Sequence, residues 1–322
     1  MDDYPVLRND WHAVIPVKQL DETGIAQARL LSEDIVIWRT GDEVLAWQDL
    51  CLHRGARLSL GELDGETLRC PYHGWTYNTE GQCVLMPAHP DQKPSPRAVA
   101  KTYHAQVCYD FVWVCLGEPQ HEIPPFPEWQ DSAFRRVLCG PYPLQSAGQR
   151  MIENFLDVAH FPWVHENILG ARDRAEIGDY EVVSDETGVS ADDIQIYQPN
   201  PDGTGVAKLI HYYYKVHRPL IAYFRKESTG PGFAMMLMMT PVEPAKSVIW
   251  QWMLLNHSYD TPEEELLAFQ DEIVYQDLPV VESQRPGLLP HDLQAELHLR
   301  SDKMAIAYRQ WLNKLGVRFG MV

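Results

Sequence analysis

The chain has 322 residues, enough for two domains at roughly 100–200 residues each, and its 45% hydrophobic and 22% charged composition excludes a disordered or fibrous polymer. Lys plus Arg number 27 against 45 Asp plus Glu, and the net charge of −18 has the wrong sign for holding nucleic acid or an anionic membrane surface. The acidic start, Met1-Asp2-Asp3-Tyr4-Pro5, lacks the features of a signal peptide, and the longest apolar runs, such as Phe233 to Met239, are too short to span a bilayer. The expectation is a cytoplasmic protein whose six cysteines (51, 70, 83, 108, 115 and 139) are thiols or metal ligands rather than disulfides.

Up to about residue 116 the sequence reads as short strands. Ile35 to Trp38 and Val44 to Trp47 flank Thr40-Gly41-Asp42, a hairpin signal. Cys51-Leu52-His53 is followed by Cys70-Pro71-Tyr72-His73, giving C-x-H-x16-C-x2-H, two loops that each offer a thiolate and an imidazole. A tetrahedral zinc site would use all four on one ion. A [2Fe–2S] cluster of the Rieske kind would use two cysteines on one iron and two histidines on the other. Zinc motifs mostly begin with paired cysteines, whereas both arms here are mixed, which favours the cluster. Gly55 and Gly74 would let backbone amides approach the sulfides, Pro71 would stiffen its loop, and Trp75 and Tyr77 would pack around the centre.

A proline-rich loop runs from Pro87 to Pro96, and Val107 to Val114 reads as a single strand with Cys108 and Cys115 as small core residues. Cys83 and Cys139 have no paired histidine nearby. Gly117-Glu118-Pro119 and Ile123-Pro124-Pro125-Phe126-Pro127 form the best linker, since closely spaced prolines block helix and sheet pairing.

Met151 to about Val164 reads as helical and carries a second constellation, Asp157-x2-His160-x4-His165. Asp157 and His160 would share a helix face, but five residues turn His165 about 140° away from His160. Both imidazoles converge only if the helix distorts, and Pro162 is placed to cause that. A facial-triad iron site needs one carboxylate more, with positions left open for O2. That carboxylate must come from elsewhere because Asp157 is wanted for another role; a later helix offers Asp271, Glu272 and Asp277, of which Asp277 is favoured. Asn154, one turn before Asp157, is placed for a second hydrogen-bonding shell.

Several β-rich runs between about 180 and 257 imply an antiparallel sheet. Phe233 to Met239 reads as a core strand with one or two residues facing substrate, and His211 and His217 as ordinary sheet histidines. Thr261-Pro262-Glu263-Glu264-Glu265 reads as a capped helix start, with Thr261 as the cap and Pro262 in the first turn. This helix should run to about Ser283 with a kink near Pro279, and a last helix should cover about Lys303 to Leu315. Helices beside an antiparallel sheet give an α+β class.

The two constellations, in this order, resemble the catalytic α subunits of the Rieske non-haem iron oxygenases, specifically the small homotrimeric monooxygenase and demethylase type. Arg309 to Gly316 and Tyr275 to Pro286 are most similar to the cyanobacterial saxitoxin-pathway hydroxylases. The resemblance implies an antiparallel-β Rieske domain (1–120), a linker and start of the catalytic domain (121–145), and a helix-grip, START-like catalytic domain with a curved antiparallel sheet (146–322). It implies a [2Fe–2S] cluster on Cys51, His53, Cys70 and His73, and mononuclear Fe(II) on His160, His165 and Asp277. Asp157 would link His160 to His73 of the next chain in a head-to-tail homotrimer. With no nicotinamide or flavin fingerprint in the chain, NAD(P)H electrons would come from a separate reductase, through a ferredoxin in some systems. The expected activity is O2-dependent hydroxylation of a C–H bond in a small organic, cyclic substrate, or demethylation where the carbon bears nitrogen or oxygen. Aromatic-ring dihydroxylation is the alternative among enzymes, and a Rieske electron carrier or zinc-binding protein the alternative outside them.

Overall fold

The hairpin around Gly41 forms as the sequence implies, with Glu33–Thr40 paired antiparallel to Glu43–Gln48. It lies in the first of two compact units, Met1–Ile123 and Pro124–Val322, of a computed structural model that describes residues 4–201, 206–227 and 232–322.

In the first unit a six-stranded antiparallel sheet runs in the order His12–Pro16, Phe111–Cys115, Thr102–Cys108, Glu43–Gln48, Glu33–Thr40, Ile25–Leu30. A smaller sheet of four strands joins Glu62–Asp64, Thr67–Arg69, Thr76–Tyr77 and Cys83–Leu85. Trp38 and Trp47, both fully buried, meet edge to face at 5.0 Å and form the centre of a core that also holds Leu58, Leu68, Tyr77, Cys51 and Cys70. Aromatic pairs of this geometry bury large area and add about 0.5–1.5 kcal/mol beyond it.

The stretch from Val107 to Val114 is not one strand. Tyr109 and Asp110 take left-handed backbone angles (φ 51° and 55°), and the chain reverses between Thr102–Cys108 and Phe111–Cys115. Two consecutive positive-φ residues make the tight turn that matches strand twist, a position usually given to Asn or Gly, so the apolar run concealed it. Cys108 is consequently only partly buried, while Cys83, Cys115 and Cys139 are buried. Burial pushes the Cys115 thiol up to about 11 and the Cys139 thiol up to about 12, so both stay protonated and inert.

The second unit is built on a seven-stranded antiparallel sheet, ordered Arg135–Leu144, Lys246–Leu255, Phe233–Glu243, Ile221–Glu227, Lys208–Arg218, Gly188–Gln198, Val182–Asp185. Helices Gly148–Leu156, Glu263–Ser283 and Lys303–Leu315 pack against it, giving the expected α+β class. The long helix Glu263–Ser283 begins one residue later than the sequence implies. Pro262 itself is the N-cap and no side chain caps the end; three glutamates in the first turn satisfy the positive end of the dipole instead. Pro279 lies inside this helix.

Helix Gly148–Leu156 is tied to the C-terminal helix by an ion network whose two arginines are buried. Arg309 Nε and Nη2 donate to the two carboxylate oxygens of Glu153 at 2.6 and 2.7 Å, and Nη2 also reaches Glu296. Arg150 Nη2 donates to Glu296 at 2.8 Å. No helix among the described residues is long and apolar enough to cross a membrane.

Candidate metal centres

The two loops of the first motif are built alike. In each, the cysteine amide donates to a carbonyl five residues on: Cys51 to Ala56 at 2.7 Å, Cys70 to Trp75 at 2.8 Å. The glycine four residues on donates back to the cysteine carbonyl, at 2.9 Å for Gly55 and 3.1 Å for Gly74. Both glycines take left-handed angles (φ +71° and +69°), which closes each loop around its sulfur.

Cys51 and Cys70 are each only 2% exposed, whereas His53 and His73 stand at the surface with ring centroids 4.4 Å apart. Trp75 stacks flat on His53 at 4.6 Å, and Tyr77 Oη lies 3.3 Å from Cys51 Sγ. Burial pushes the Cys70 thiol up, the amides of Tyr72 and His73 draw it down, and the adjacent Cys51 raises it again. Desolvation, with the neighbouring His73 and Arg54, holds His53 below its ordinary value. The two sulfurs are buried side by side, and the amides of Tyr72 and His73 point at the Cys70 sulfur. Their separation into an inner sulfur pair and an outer imidazole pair fits a two-iron cluster better than a single zinc ion.

The second motif does not lie on one helix. Helix Gly148–Leu156 stops at Asp157, whose backbone is extended (φ −85°, ψ 117°), and a four-residue helix, Phe161–Val164, begins with His160 as its N-cap. Asp157 and His160 therefore share no helix face. Pro162 does not kink a continuous helix; it sits in the first turn of the new one, where its missing N–H costs nothing. The break at Asp157, rather than a distortion at Pro162, turns the two imidazoles toward each other.

Three donors meet there. His160 Nε2 and His165 Nε2 are 3.2 Å apart, and Asp277 Oδ1 lies 3.4 Å from the first and 3.1 Å from the second. Adjacent positions around a divalent ion with bonds of about 2.1 Å are separated by about 3.0 Å, so the three atoms fit one face of a metal and leave the opposite face free. Of the three carboxylate candidates, Asp277 is buried at this point. Asp271 instead accepts a hydrogen bond from Tyr142 at 2.5 Å, and Glu272 is exposed.

Each donor has a neighbour. Asn154 Nδ2 donates to Asp277 Oδ1 at 3.3 Å. Gln276 Oε1 lies 2.7 Å from His165 Nδ1. Asp157 Oδ1 accepts from the Ala159 amide at 2.7 Å, and its Oδ2 lies 3.4 Å from His160 Nδ1. That last contact is an ion-pair separation, not an aligned bond, since His160 Nδ1 is buried without a hydrogen-bond partner. Burial acts to lower the pKa of His165, but Asp277 and Gln276 outweigh it and the net shift is upward.

The three donors close one end of a cavity of about 370 Å³ between the sheet and the helices Gly148–Leu156 and Glu263–Ser283. Its sheet wall is made by alternate residues, Tyr212 and Tyr214, Phe233 and Met235, Gln251 and Met253, so one face of the pleat is turned inward. The strand Phe233–Glu243 thus supplies two lining residues. His211 is bonded to Asp193 and His217 packs beside Tyr223, and neither lines the cavity.

Sequence reasoning missed Gln276 and a buried amide pair in the cavity wall, in which Gln270 Nε2 donates to Gln251 Oε1 at 3.0 Å. Gln270 precedes Asp277 by seven residues, two helical turns, so spacing alone places both on one face. Gln251 has no comparable signal.

Residues 10–104 match the Rieske [2Fe-2S] domain family, and residues 144–318 match the vanillate O-demethylase oxygenase C-terminal domain. Methylxanthine N1-demethylase NdmA of Pseudomonas putida is 30% identical over 332 residues, covering 98% of this chain and 90% of that protein. Methylxanthine N3-demethylase NdmB of the same organism is 27% identical, covering 98% and 92%. The solved structure of NdmA with caffeine superposes with a TM-score of 0.84 at 29% identity, over 96% of this chain and 90% of that one. Dicamba monooxygenase bound to dicamba superposes with a TM-score of 0.77 at 21% identity over 96% of this chain and 97% of that one, a likeness of fold.

Proposed function

The chain belongs to the Rieske non-haem iron oxygenases, and on that footing we propose that it removes a methyl group from the nitrogen or oxygen of a small, planar, cyclic compound. As a member of that family it is an O2-dependent oxidoreductase carrying a Rieske [2Fe–2S] cluster and a mononuclear iron. The observation that carries the finer reading is the cavity. An aromatic sheet wall and an amide pair beside three converging donors, with Lys226 and Glu265 also on the lining, suit a flat ring system that presents hydrogen-bonding edges.

In this reading Cys51, His53, Cys70 and His73 hold the cluster, and His160, His165 and Asp277 hold the iron. When bound, the cluster supplies single electrons and the iron activates O2. The protein's own part is placement. The rings of Tyr212, Phe224 and Phe233 form the sheet wall on which the substrate lies, the Gln251–Gln270 pair reads its edge, and Asn154 keeps Asp277 in register. The apolar lining excludes bulk water from the reacting carbon. Overall, R–CH3 with O2, two electrons and two protons gives R–CH2OH and water. Where R ends in nitrogen or oxygen, this carbinol breaks its C–N or C–O bond and leaves as formaldehyde, and the heteroatom keeps the proton.

The electrons come from NAD(P)H through a separate reductase, in the cytoplasm, where the four cysteines outside the cluster motif stay reduced. A head-to-tail homotrimer would bring Asp157, whose side chain is 38% exposed, to His73 of the partner subunit.

The test is a screen of N- and O-methylated heterocycles and aromatics with purified protein, a surrogate reductase and NADH. It follows O2 uptake and formaldehyde release together. Stoichiometric formaldehyde supports demethylation. Coupled O2 uptake that yields a stable alcohol or a cis-diol instead would replace this reading with hydroxylation or dihydroxylation.

A further inference from the structure

The three converging donors have three polar neighbours of different kind: a carboxylate that is partly exposed, an amide that donates, and an amide that accepts. The last is the tightest. Gln276 Oε1 lies 2.7 Å from His165 Nδ1, against 3.4 Å for Asp157 Oδ2 to His160 Nδ1 and 3.3 Å for Asn154 Nδ2 to Asp277 Oδ1.

We propose that Gln276 is a positioning residue for the mononuclear site: its side-chain carbonyl takes the Nδ1 proton of His165 and so fixes the tautomer and the ring plane that present Nε2. The proposal rests on the reading of His165 as a metal ligand. A neutral imidazole has one N–H and one lone pair. His165 Nε2 faces Asp277 Oδ1 at 3.1 Å and His160 Nε2 at 3.2 Å, so a lone pair directed there puts the proton on Nδ1. Nδ1 then needs an acceptor, and His165 is only 1% exposed, so bulk water is not at hand to replace a lost one.

Sequence and fold combine in this arrangement. Gln276 and Asp277 are consecutive on the long helix, and their side chains leave it about 100° apart. One rigid element thereby grips His165 at both ring nitrogens, by the amide at Nδ1 and by the carboxylate beside Nε2. His165 itself follows the short helix Phe161–Val164, which is too brief to set the ring by itself. The neutral partner orients the ring without the added negative charge that a carboxylate would bring, which sets the donor strength of His165 apart from that of His160.

The test uses the full-length protein with its Rieske cluster intact and Co(II) in the mononuclear site. Co(II) affinity is measured by chelator competition, its visible ligand-field bands are recorded, and cluster absorbance serves as the check on folding. Gln276→Met should weaken Co(II) binding about 10- to 100-fold. Gln276→Glu, which keeps an acceptor at the same reach, should restore most of the affinity while shifting the ligand-field bands, because an anionic partner strengthens the imidazole as a donor. A purely structural role would move the bands in neither variant. Parental affinity in Gln276→Met, or unshifted bands in Gln276→Glu, overturns the proposal; the second readout stands alone if Gln276→Met does not fold. His165→Ala separates the two levels. Loss of Co(II) there beside parental binding in Gln276→Met sinks the role of Gln276 only, whereas parental binding in His165→Ala removes the ligand assignment and the proposal with it.

Discussion

His160 and His165, five residues apart in the chain, bring their Nε2 atoms within 3.2 Å of each other because the helix ahead of them ends at Asp157. A continuous helix would have pointed them about 140° apart. The convergence places Asp277 Oδ1 beside both imidazoles, whereas the Asp271 carboxylate is engaged by Tyr142. His160→Ala and Asp277→Ala should each lose most of the mononuclear iron by metal analysis while keeping the visible absorbance of the cluster. Asp271→Ala should retain both. Iron loss in Asp271→Ala with full iron in Asp277→Ala would falsify the assignment.

Asp157 accepts the Ala159 amide with one oxygen and lies beside His160 with the other, so it braces the break without belonging to the set of three. Asp157→Ala should keep both metal centres and lose about 100-fold or more in coupled turnover. Normal turnover at full iron content is the outcome that would refute the bridge.

The twin cluster loops differ in how much room surrounds their glycines. A Cβ at Gly55 would meet only Leu50 Cδ1 at 3.7 Å, so Gly55→Ala carries the left-handed backbone cost of about 1–2 kcal/mol. At Gly74 the same Cβ would lie 3.0 Å from Pro87 Cγ, a stiff ring that cannot swing aside. Thermal bleaching of the cluster should therefore begin at a lower temperature in Gly74→Ala than in Gly55→Ala, and the reverse order would show that the loops are not held as described.

In the Arg150–Glu153–Glu296–Arg309 network the two arginines are buried, at 1% and 2% exposure, while Glu296 is 31% exposed. Removing one member leaves uncompensated charge behind. Arg309→Ala should destabilise the catalytic unit by about 3–5 kcal/mol in chemical denaturation. A loss under 1 kcal/mol would mean that water reaches the pair.

His12 is buried and donates Nε2–H to the Leu7 carbonyl at 2.7 Å; burial lowers its pKa to about 4, against the partial opposition of that bond. Unfolded, it titrates near 6.5. Between those values the unfolded chain binds more protons, so stability rises with pH. The contribution is fully present above about pH 6.5 and is lost as pH falls toward 4, roughly 3 kcal/mol in all. Denaturant midpoints of the first unit should fall over that window, and His12→Gln should flatten the slope. An unchanged slope in the variant would assign the acid sensitivity elsewhere.

The candidate metal-binding residues of the first motif were legible from spacing, because thiolate and imidazole groups must recur at short intervals for loops of limited reach to close on a centre, as Cys51, His53, Cys70 and His73 do. His160 and His165 were not, since five residues turn them apart on an ideal helix, and the resemblance paired them. The α+β class and the C-terminal helix followed from periodicity and end signals. Less was legible wherever long-range contact decides. The turn at Tyr109-Asp110 uses residues that do not advertise it, and the end of the helix at Asp157 carries no glycine or proline of its own. The choice among Asp271, Glu272 and Asp277 depends on which side of the long helix meets residues more than a hundred positions earlier. Gln276 and Gln251 matter only through their partners across the fold. Residue type and spacing name the candidate donors and their grouping. Which carboxylate lies beside the two imidazoles, and what surrounds the space they face, follows from packing between elements distant in the chain, which sets direction and burial.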